Sequence, residues 1–315
     1  MLRGTLLGHE GLIWEVSLYL RQSKMEIKYL FFIVLSSFLH AFYNFLMRKN
    51  GGDQYFLNGI FVSAALISIF STLISNGYSN IPWHNVPYIY GASFFYILYQ
   101  IFVNKSYQRG GNISTNYPLT VLSPLFIPIW AFFLLGEKIS VLTAIGIFIT
   151  VLGAIMVQIS KFSLSELKKM FMLNKDYIGA RFAITASLMY SFGAIFDKYR
   201  ISTFLVTTYL SFIISFMAMN MIIYMFFSQR LDFIKYTLIN WRITFIGGLT
   251  LFFSFLFFRL ALQKINVSIA VPIRQVSIIF AILFGVAFLK EIFKFEKLVA
   301  VFIILIGIIL INIGL

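Results

Sequence analysis

The sequence predicts an all-α integral membrane protein with ten transmembrane helices, arranged as two inverted repeats of five. Two observations carry this prediction. The first is composition: of 315 residues, 60% are hydrophobic and 11% are charged, with a mean hydropathy of +0.90, whereas a soluble domain is about 25% charged. The second is an internal repeat, in which segment 112–137 returns as segment 266–291 at a constant offset of 154 residues.

The repeat contains identities that shared hydrophobicity does not explain. Apolar segments match by chance in Leu, Ile and Phe, but rarely in a proline at a fixed distance from a carboxylate. The identical pairs are Asn112/Asn266, Ser114/Ser268, Pro118/Pro272, Ser123/Ser277, Phe126/Phe280, Leu135/Leu289 and Glu137/Glu291. We therefore infer a duplicated unit of roughly 150 residues.

Each unit contains five apolar runs of the length that crosses a bilayer, about 20 residues. The runs are too long and too continuous for the strands of a membrane barrel. Because five is odd, the second unit enters the membrane from the opposite side, which is typical of secondary transporters. The predicted spans are 27–47, 54–75, 85–107, 113–135, 139–159, 177–198, 203–227, 242–263, 267–289 and 295–314.

The same runs divide the chain into four parts. The linker between the repeats combines a capping box, Ser163 and Glu166, with an apolar face and neighbouring lysines, which predicts a short amphipathic surface helix. The parts are an N-terminal extension (1–26), the first repeat (27–159), the linker (160–176) and the second repeat (177–315).

Composition also narrows the class of function. The chain has no Cys, three His and 11 acidic residues, so cysteine metal sites are excluded and no metal or other cofactor is expected. Its net charge of +14 suits lysines and arginines that flank spans and meet anionic lipid headgroups. The expected partners are the lipid bilayer and a small-molecule substrate, not nucleic acid.

Two motifs carry a resemblance to a known family. PLTVLSPLFIPIWAFFLLGEKIS (118–140), and PIRQVS with FLKE in the second copy (272–291), resemble EamA-type proteins of the drug/metabolite transporter superfamily. The resemblance implies a ten-helix carrier in the cell membrane, with a central cavity for amino acids or other small metabolites, often exported. One departure is Lys290, which stands where the first copy has Gly136.

The resemblance also implies that both termini are cytoplasmic. Lysines and arginines are more numerous in the segments that this orientation puts outside. The positive-inside rule thus favours the opposite orientation, and we keep the expectation that the resemblance implies.

Arg274 is the most informative single residue, because it lies two turns into an otherwise apolar span. A central arginine costs at least about 2.5–3.5 kcal/mol on insertion scales. Its guanidinium could bind a carboxylate or phosphate of the substrate. The alternatives are that it reaches the membrane surface, or that it pairs with a protein acid such as Asp197.

Other polar residues occur in the spans at helical spacing. His40 and Asn44 share one helix face, as do Gln100 and Asn104. Such faces either line a cavity or form hydrogen bonds between helices, and His40 could also carry a proton. The full set of predicted cavity residues is Arg274, His40, Asn44, Gln100, Asn104, Tyr117 and Tyr190.

Pro118 and Pro272 lie at equivalent positions of the fourth and ninth spans. Proline removes a backbone donor and frees carbonyl groups, which in lipid must find other partners. We predict hinges at both prolines that face the cavity; a packing kink is the alternative.

The fifth and tenth spans contain the glycines Gly146, Gly153 and Gly307, which predict close helix approach. Close packing at such small residues is also how a homodimer would form.

Three classes of function are then compared. A small-metabolite carrier that works by alternating access explains the repeat, the prolines and Arg274. A membrane-embedded lipid-modifying enzyme would need clustered acids or His near one membrane face, which the loops lack, so no catalytic residue is expected. A non-transporting scaffold has no use for a polar cavity.

Asp197 is the only intramembrane acid, which favours a facilitator or an exchanger over a proton-coupled carrier. Glu137 and Glu291 are predicted to be structural, compensated by the adjacent Lys138 and Lys290.

Overall fold

The computed structural model describes residues 26–50, 53–108, 119–120, 122–158, 178–228, 232–290 and 295–315. The N-terminal extension up to residue 25 and the amphipathic linker lie outside these residues. Within them the regular structure is helical. The α-helices are α1 (Ile27–Lys49), α2 (Gln54–Ile74), α3 (Val86–Gln108), α4 (Ser123–Leu135), α5 (Val141–Gln158), α6 (Ile178–Arg200), α7 (Val206–Phe227), α8 (Phe233–Ile239), α9 (Trp241–Leu262), α10 (Val267–Arg274), α11 (Ser277–Leu289) and α12 (Phe295–Ile313).

Most of these helices have the length and composition of membrane spans. Eight candidate spans occur in the described residues, with α10 and α11 together forming one of them. Two further helices, Ser123–Leu135 and Val141–Val157, are apolar but shorter. The chain is therefore a multi-pass membrane protein. The ten predicted spans agree in position with these helices, but only eight meet the length requirement, so the count of ten stays a prediction.

Helices of the two halves interleave. In the first half, α1 packs against α9 and α11, α2 against α7 and α9, and α3 and α4 against α6. Each partner belongs to the second half. The two repeats thus build one shared interior instead of two separate domains.

The helix pair α5 and α12 shows the close approach that its glycines predict. A Cβ atom on Gly307 would lie 2.6 Å from the Thr150 backbone nitrogen and 2.8 Å from the Gly146 carbonyl oxygen. A Cβ atom on Gly153 would lie 2.8 Å from the Ile304 nitrogen. Because these neighbours are backbone atoms, they cannot rotate away, and the two helices are in direct backbone contact.

We therefore expect Gly307→Ala to destabilise the fold by about 1–3 kcal/mol, the range for overpacking. Thermal unfolding of the purified protein in detergent measures this. Gly91→Ala is the matched control, because its new Cβ would meet only the Phe196 ring, at 3.0 Å. A smaller loss of stability at Gly307 than at Gly91 would contradict the backbone contact.

The ninth predicted span is interrupted at Gln275 and Val276, where the backbone makes i→i+3 hydrogen bonds between α10 and α11. After the break, the two copies of the duplicated segment agree. α4 begins at Ser123 and α11 at the equivalent Ser277. Both end on a left-handed residue, Gly136 with φ 68° and Lys290 with φ 54°. The second copy thus keeps the left-handed backbone conformation that favours glycine, although the residue at this position is Lys290.

Candidate functional site

Arg274 is the last residue of α10, at the break before α11, and it is buried. One of its terminal nitrogens donates to the Ser254 hydroxyl oxygen at 3.2 Å. Its guanidinium lies 4.4 Å from the centre of the Phe258 ring, and the Tyr190 side chain lies within electrostatic range of it. Its Nε atom is buried and has no partner among the described residues. The guanidinium thus keeps an unused donor inside the protein.

The carboxylate of Asp197 is bound by a different arginine. Arg259 contacts Asp197 Oδ2 at 2.7 Å, and the two side chains are only 2% and 0% exposed. The Tyr96 hydroxyl donates to the same oxygen at 2.9 Å. The alternative that Arg274 pairs with Asp197 is therefore wrong, because the ion pair of Asp197 is with Arg259; the second oxygen, Oδ1, is buried without a hydrogen-bond partner among the described residues.

Glu137 is the other buried acid of the described chain. It follows α4 and accepts three hydrogen bonds at the start of α10, from the backbone nitrogens of Val267 (2.9 Å) and Ser268 (3.1 Å) and from the Ser268 hydroxyl (2.6 Å). A carboxylate at a helix N-terminus is favoured by the helix dipole. Compensation for Glu137 therefore comes from the helix of the other repeat, not from the adjacent Lys138.

The buried charges leave one cation unmatched. Among the described residues, the buried charged side chains are Glu137, Asp197, Arg259 and Arg274. Glu137 binds a helix end and Asp197 binds Arg259, so no buried carboxylate remains for Arg274. A buried charge is normally paired or bound to a ligand.

Tyrosines from α3 and α6 adjoin the guanidinium. The Tyr190 ring lies 5.4 Å from the Tyr96 ring and 5.3 Å from the Tyr99 ring, centre to centre. Through Tyr190 and Tyr96, Arg274 is connected to the Asp197–Arg259 pair. Gln100 lies on α3 one turn beyond Tyr96 and is half-buried.

His40 and Asn44 lie on α1 and are both half-buried. The His40 Nδ1 atom is enclosed without a hydrogen-bond partner among the described residues, and its ring is 6.0 Å from the Tyr43 ring. His40 also lies within electrostatic range of Arg274. The unpartnered Nδ1 atom of His40 and the unpartnered Nε atom of Arg274 thus lie in the same region of the interior.

Pro272 lies inside α10, and the helix breaks three residues later, after Arg274. The Ser37 hydroxyl, which is nearest to the Ile33 carbonyl oxygen at 2.7 Å, also lies 3.2 Å from the Arg274 carbonyl oxygen at the end of α10. The predicted residues Tyr117 and Pro118, and the side chain of Asn104, lie outside what the structure describes. Sequence reasoning missed Arg259, although an arginine directly after two phenylalanines, Phe257 and Phe258, was a visible signal.

The geometry suits an anion without a metal. Among the described residues, no three His, Asp or Glu side chains come together as metal ligands. The donors around Arg274 instead match a carboxylate or phosphate group, which accepts hydrogen bonds from a guanidinium.

Comparison with known proteins decides the family. The sequence model of the EamA-like transporter family matches residues 27–159 and again residues 177–313. The chain belongs to the EamA-like transporter family. The two matched segments are the two repeats, so the duplicated unit is one EamA unit. EamA proteins are membrane transporters, and the several apolar helices of this chain agree with that class.

The fold is also found among solved structures. One of them, titled only "Crystal structure of protein", has a TM-score of 0.68 and 14% sequence identity, over 91% of this chain and 96% of the other. At that identity the likeness shows the fold alone. A search of the curated proteins gives no match.

Proposed function

We propose that this EamA protein carries a small metabolite across the cell membrane by alternating access, and that Arg274 binds an anionic group of the substrate. The carrier would have ten spans in two inverted repeats, with the substrate site at their shared interior. Amino acids and similar polar solutes, moved outward, are the proposed cargo. The observation that carries the proposal is the buried Arg274 guanidinium without a carboxylate partner among the described residues.

The surroundings of Arg274 support a ligand site over a packing role. Its partners are a hydroxyl, a tyrosine and an aromatic face, none of which neutralises a positive charge. His40 lies within electrostatic range of Arg274, Gln100 and Asn44 are half-buried, and we propose that all three line the cavity with Tyr190. From the sequence, Asn104 and Tyr117 are further proposed members of this lining. Pro118 and Pro272 are proposed hinges, and a homodimer is a further prediction.

Uptake into proteoliposomes tests the proposal. Radiolabelled amino acids, a nucleoside and an organic phosphate are offered to the wild type and to Arg274→Gln. We expect saturable uptake of an anionic or zwitterionic solute that the variant loses by roughly 10–100-fold, the equivalent of a hydrogen bond to a charged group, about 1.5–3 kcal/mol.

Lys264→Gln is the matched control, because it removes the same charge from an exposed position and should leave uptake unchanged. Equal uptake by wild type and Arg274→Gln would contradict the role of the arginine while keeping the carrier. A folded wild type that takes up none of the solutes would contradict transport of these classes.

A further inference from the structure

The contact between Glu137 and the start of α10 joins the two repeats. Glu137 belongs to the first repeat, whereas Val267 and Ser268 belong to the second, and three hydrogen bonds connect them. We call these three residues the Glu137 latch. All of its hydrogen bonds go to one carboxylate, so a single side chain holds the N-terminus of α10.

α10 is a short helix with a defined contact at each end. It has eight residues, all buried, with the latch on its first turn and Arg274 as its last residue. The joint at Gln275 and Val276 separates it from α11. At 1.5 Å per residue, its two ends are about 10 Å apart. Because α10 is this short, a displacement of its first turn shifts the position of the guanidinium, with the predicted hinge at Pro272 lying between the two.

Two further contacts close the same end of the helix bundle. The Lys198 ammonium group donates to the carbonyl oxygens of Leu262 (2.7 Å) and Ile265 (2.8 Å), just before α10 begins. One residue earlier on α6, Asp197 binds Arg259. These bonds tie the ends of α6 and α9 together beside the latch. Polar contacts thus hold this end of the bundle together where α10 begins.

Helix ends held by hydrogen bonds can separate more readily than helices in close backbone contact. When the latch opens, water can replace each of its hydrogen bonds, so the net loss is small compared with the strength of the bond itself. The backbone contact of α5 with α12 has no such replacement, because lipid does not reproduce the close packing of the two helices at their glycines. The latch is therefore the part of this chain best suited to open and close.

We propose that α10 acts as a lever with Glu137 as its latch, and that release of Val267 and Ser268 from Glu137 opens the Arg274 site toward this end of the bundle. The proposal rests on the proposed transport function, since it assigns a gate to the same site. It makes Glu137 a residue that positions and gates, not one that contacts substrate.

Thiol accessibility tests the lever directly. The natural chain contains no Cys, so Ala270→Cys gives a single reporter on α10, at a residue that is 0% exposed between the latch and Arg274. The rate of its alkylation by a water-soluble maleimide is measured on the full chain in detergent, where membrane orientation does not matter. We expect Glu137→Gln to raise this rate about tenfold or more, the effect of weakening charge-assisted bonds.

Two comparisons make the result specific. Ser268→Ala removes only the hydroxyl bond and should raise the rate less, and its effect should largely disappear in the Glu137→Gln background, because both act on one contact. Ala218→Cys on α7 is a buried reporter away from the latch, and its rate should not change.

Three results would overturn the lever. An unchanged rate at position 270, together with lower thermal stability, makes Glu137 a static helix cap. Equal increases at positions 270 and 218 indicate general loosening. Additive effects of Glu137→Gln and Ser268→Ala would show that the two substitutions do not act on one shared contact. Failure of the transport proposal would appear separately, as absent uptake with the labelling pattern intact.

Discussion

Replacing Asp197 with alanine is expected to destabilise the protein by about 3–5 kcal/mol, the range for breaking one side of a buried ion pair. Arg259 would remain in the interior, 2% exposed, with no carboxylate to balance its charge. The Tyr96 hydroxyl would also lose its acceptor. Thermal unfolding in detergent measures the change, and the loss should exceed that of any other single substitution proposed for this chain.

A double variant separates the charge from the packing. Asp197→Leu combined with Arg259→Met removes both charges and fills the space with apolar atoms, an exchange that is often neutral or stabilising. We expect the double variant to recover most of the stability lost by Asp197→Ala. If it stays as unstable as the single variant, the isolated charge is not the cause of the loss.

The second large effect is expected at Ser254. Its hydroxyl oxygen lies 3.2 Å from the Arg274 guanidinium, so Ser254→Asp supplies the carboxylate that the site lacks. The new acid should occupy Arg274 permanently and lower anion transport at least tenfold, since a built-in counter-ion competes with the substrate. Relative to a neutral side chain of the same size, it should also stabilise the fold by about 1.5–3 kcal/mol.

Ser254→Asn is that neutral control. Both variants add nearly the same volume beside Ser36, so the difference between them reports charge alone. Transport is measured with whichever solute the wild type takes up, and stability by thermal unfolding. An aspartate variant that transports as well as the asparagine variant would show that Arg274 needs no anion.

The fold followed from the sequence because its signals are long and redundant. Ten apolar runs and a constant offset between Pro118 and Pro272 or Glu137 and Glu291 survive small errors at helix ends. The family match to residues 27–159 and 177–313 confirms the repeat. Arg274 was identified as buried for a similar reason, since a charge inside an apolar run has few alternatives.

Partners across the bundle could not be predicted in the same way. Asp197 and Arg259 are 62 residues apart and touch only because α6 and α9 end side by side. Glu137 finds its donors 130 residues later in the chain. One sequence fixes which side chains need a partner, but the choice between Arg259 and Arg274 depends on helix rotation and tilt, which hydrophobic periodicity leaves open.

The serine contact between α1 and α9 has a consequence for synthesis of the protein. The Ser36 hydroxyl donates to the Ser254 carbonyl oxygen at 2.7 Å, and the Ser254 hydroxyl donates to the Ser36 carbonyl oxygen at 3.0 Å, across a separation of 218 residues. At about 5–20 residues per second, a ribosome needs roughly 10–40 s to make the chain between them. During that time α1 is without its partner, and the Ser36 hydroxyl can bond only within its own helix, as the Ser37 hydroxyl does with the Ile33 carbonyl oxygen at 2.7 Å. The first half of the chain therefore depends on the second half to finish folding.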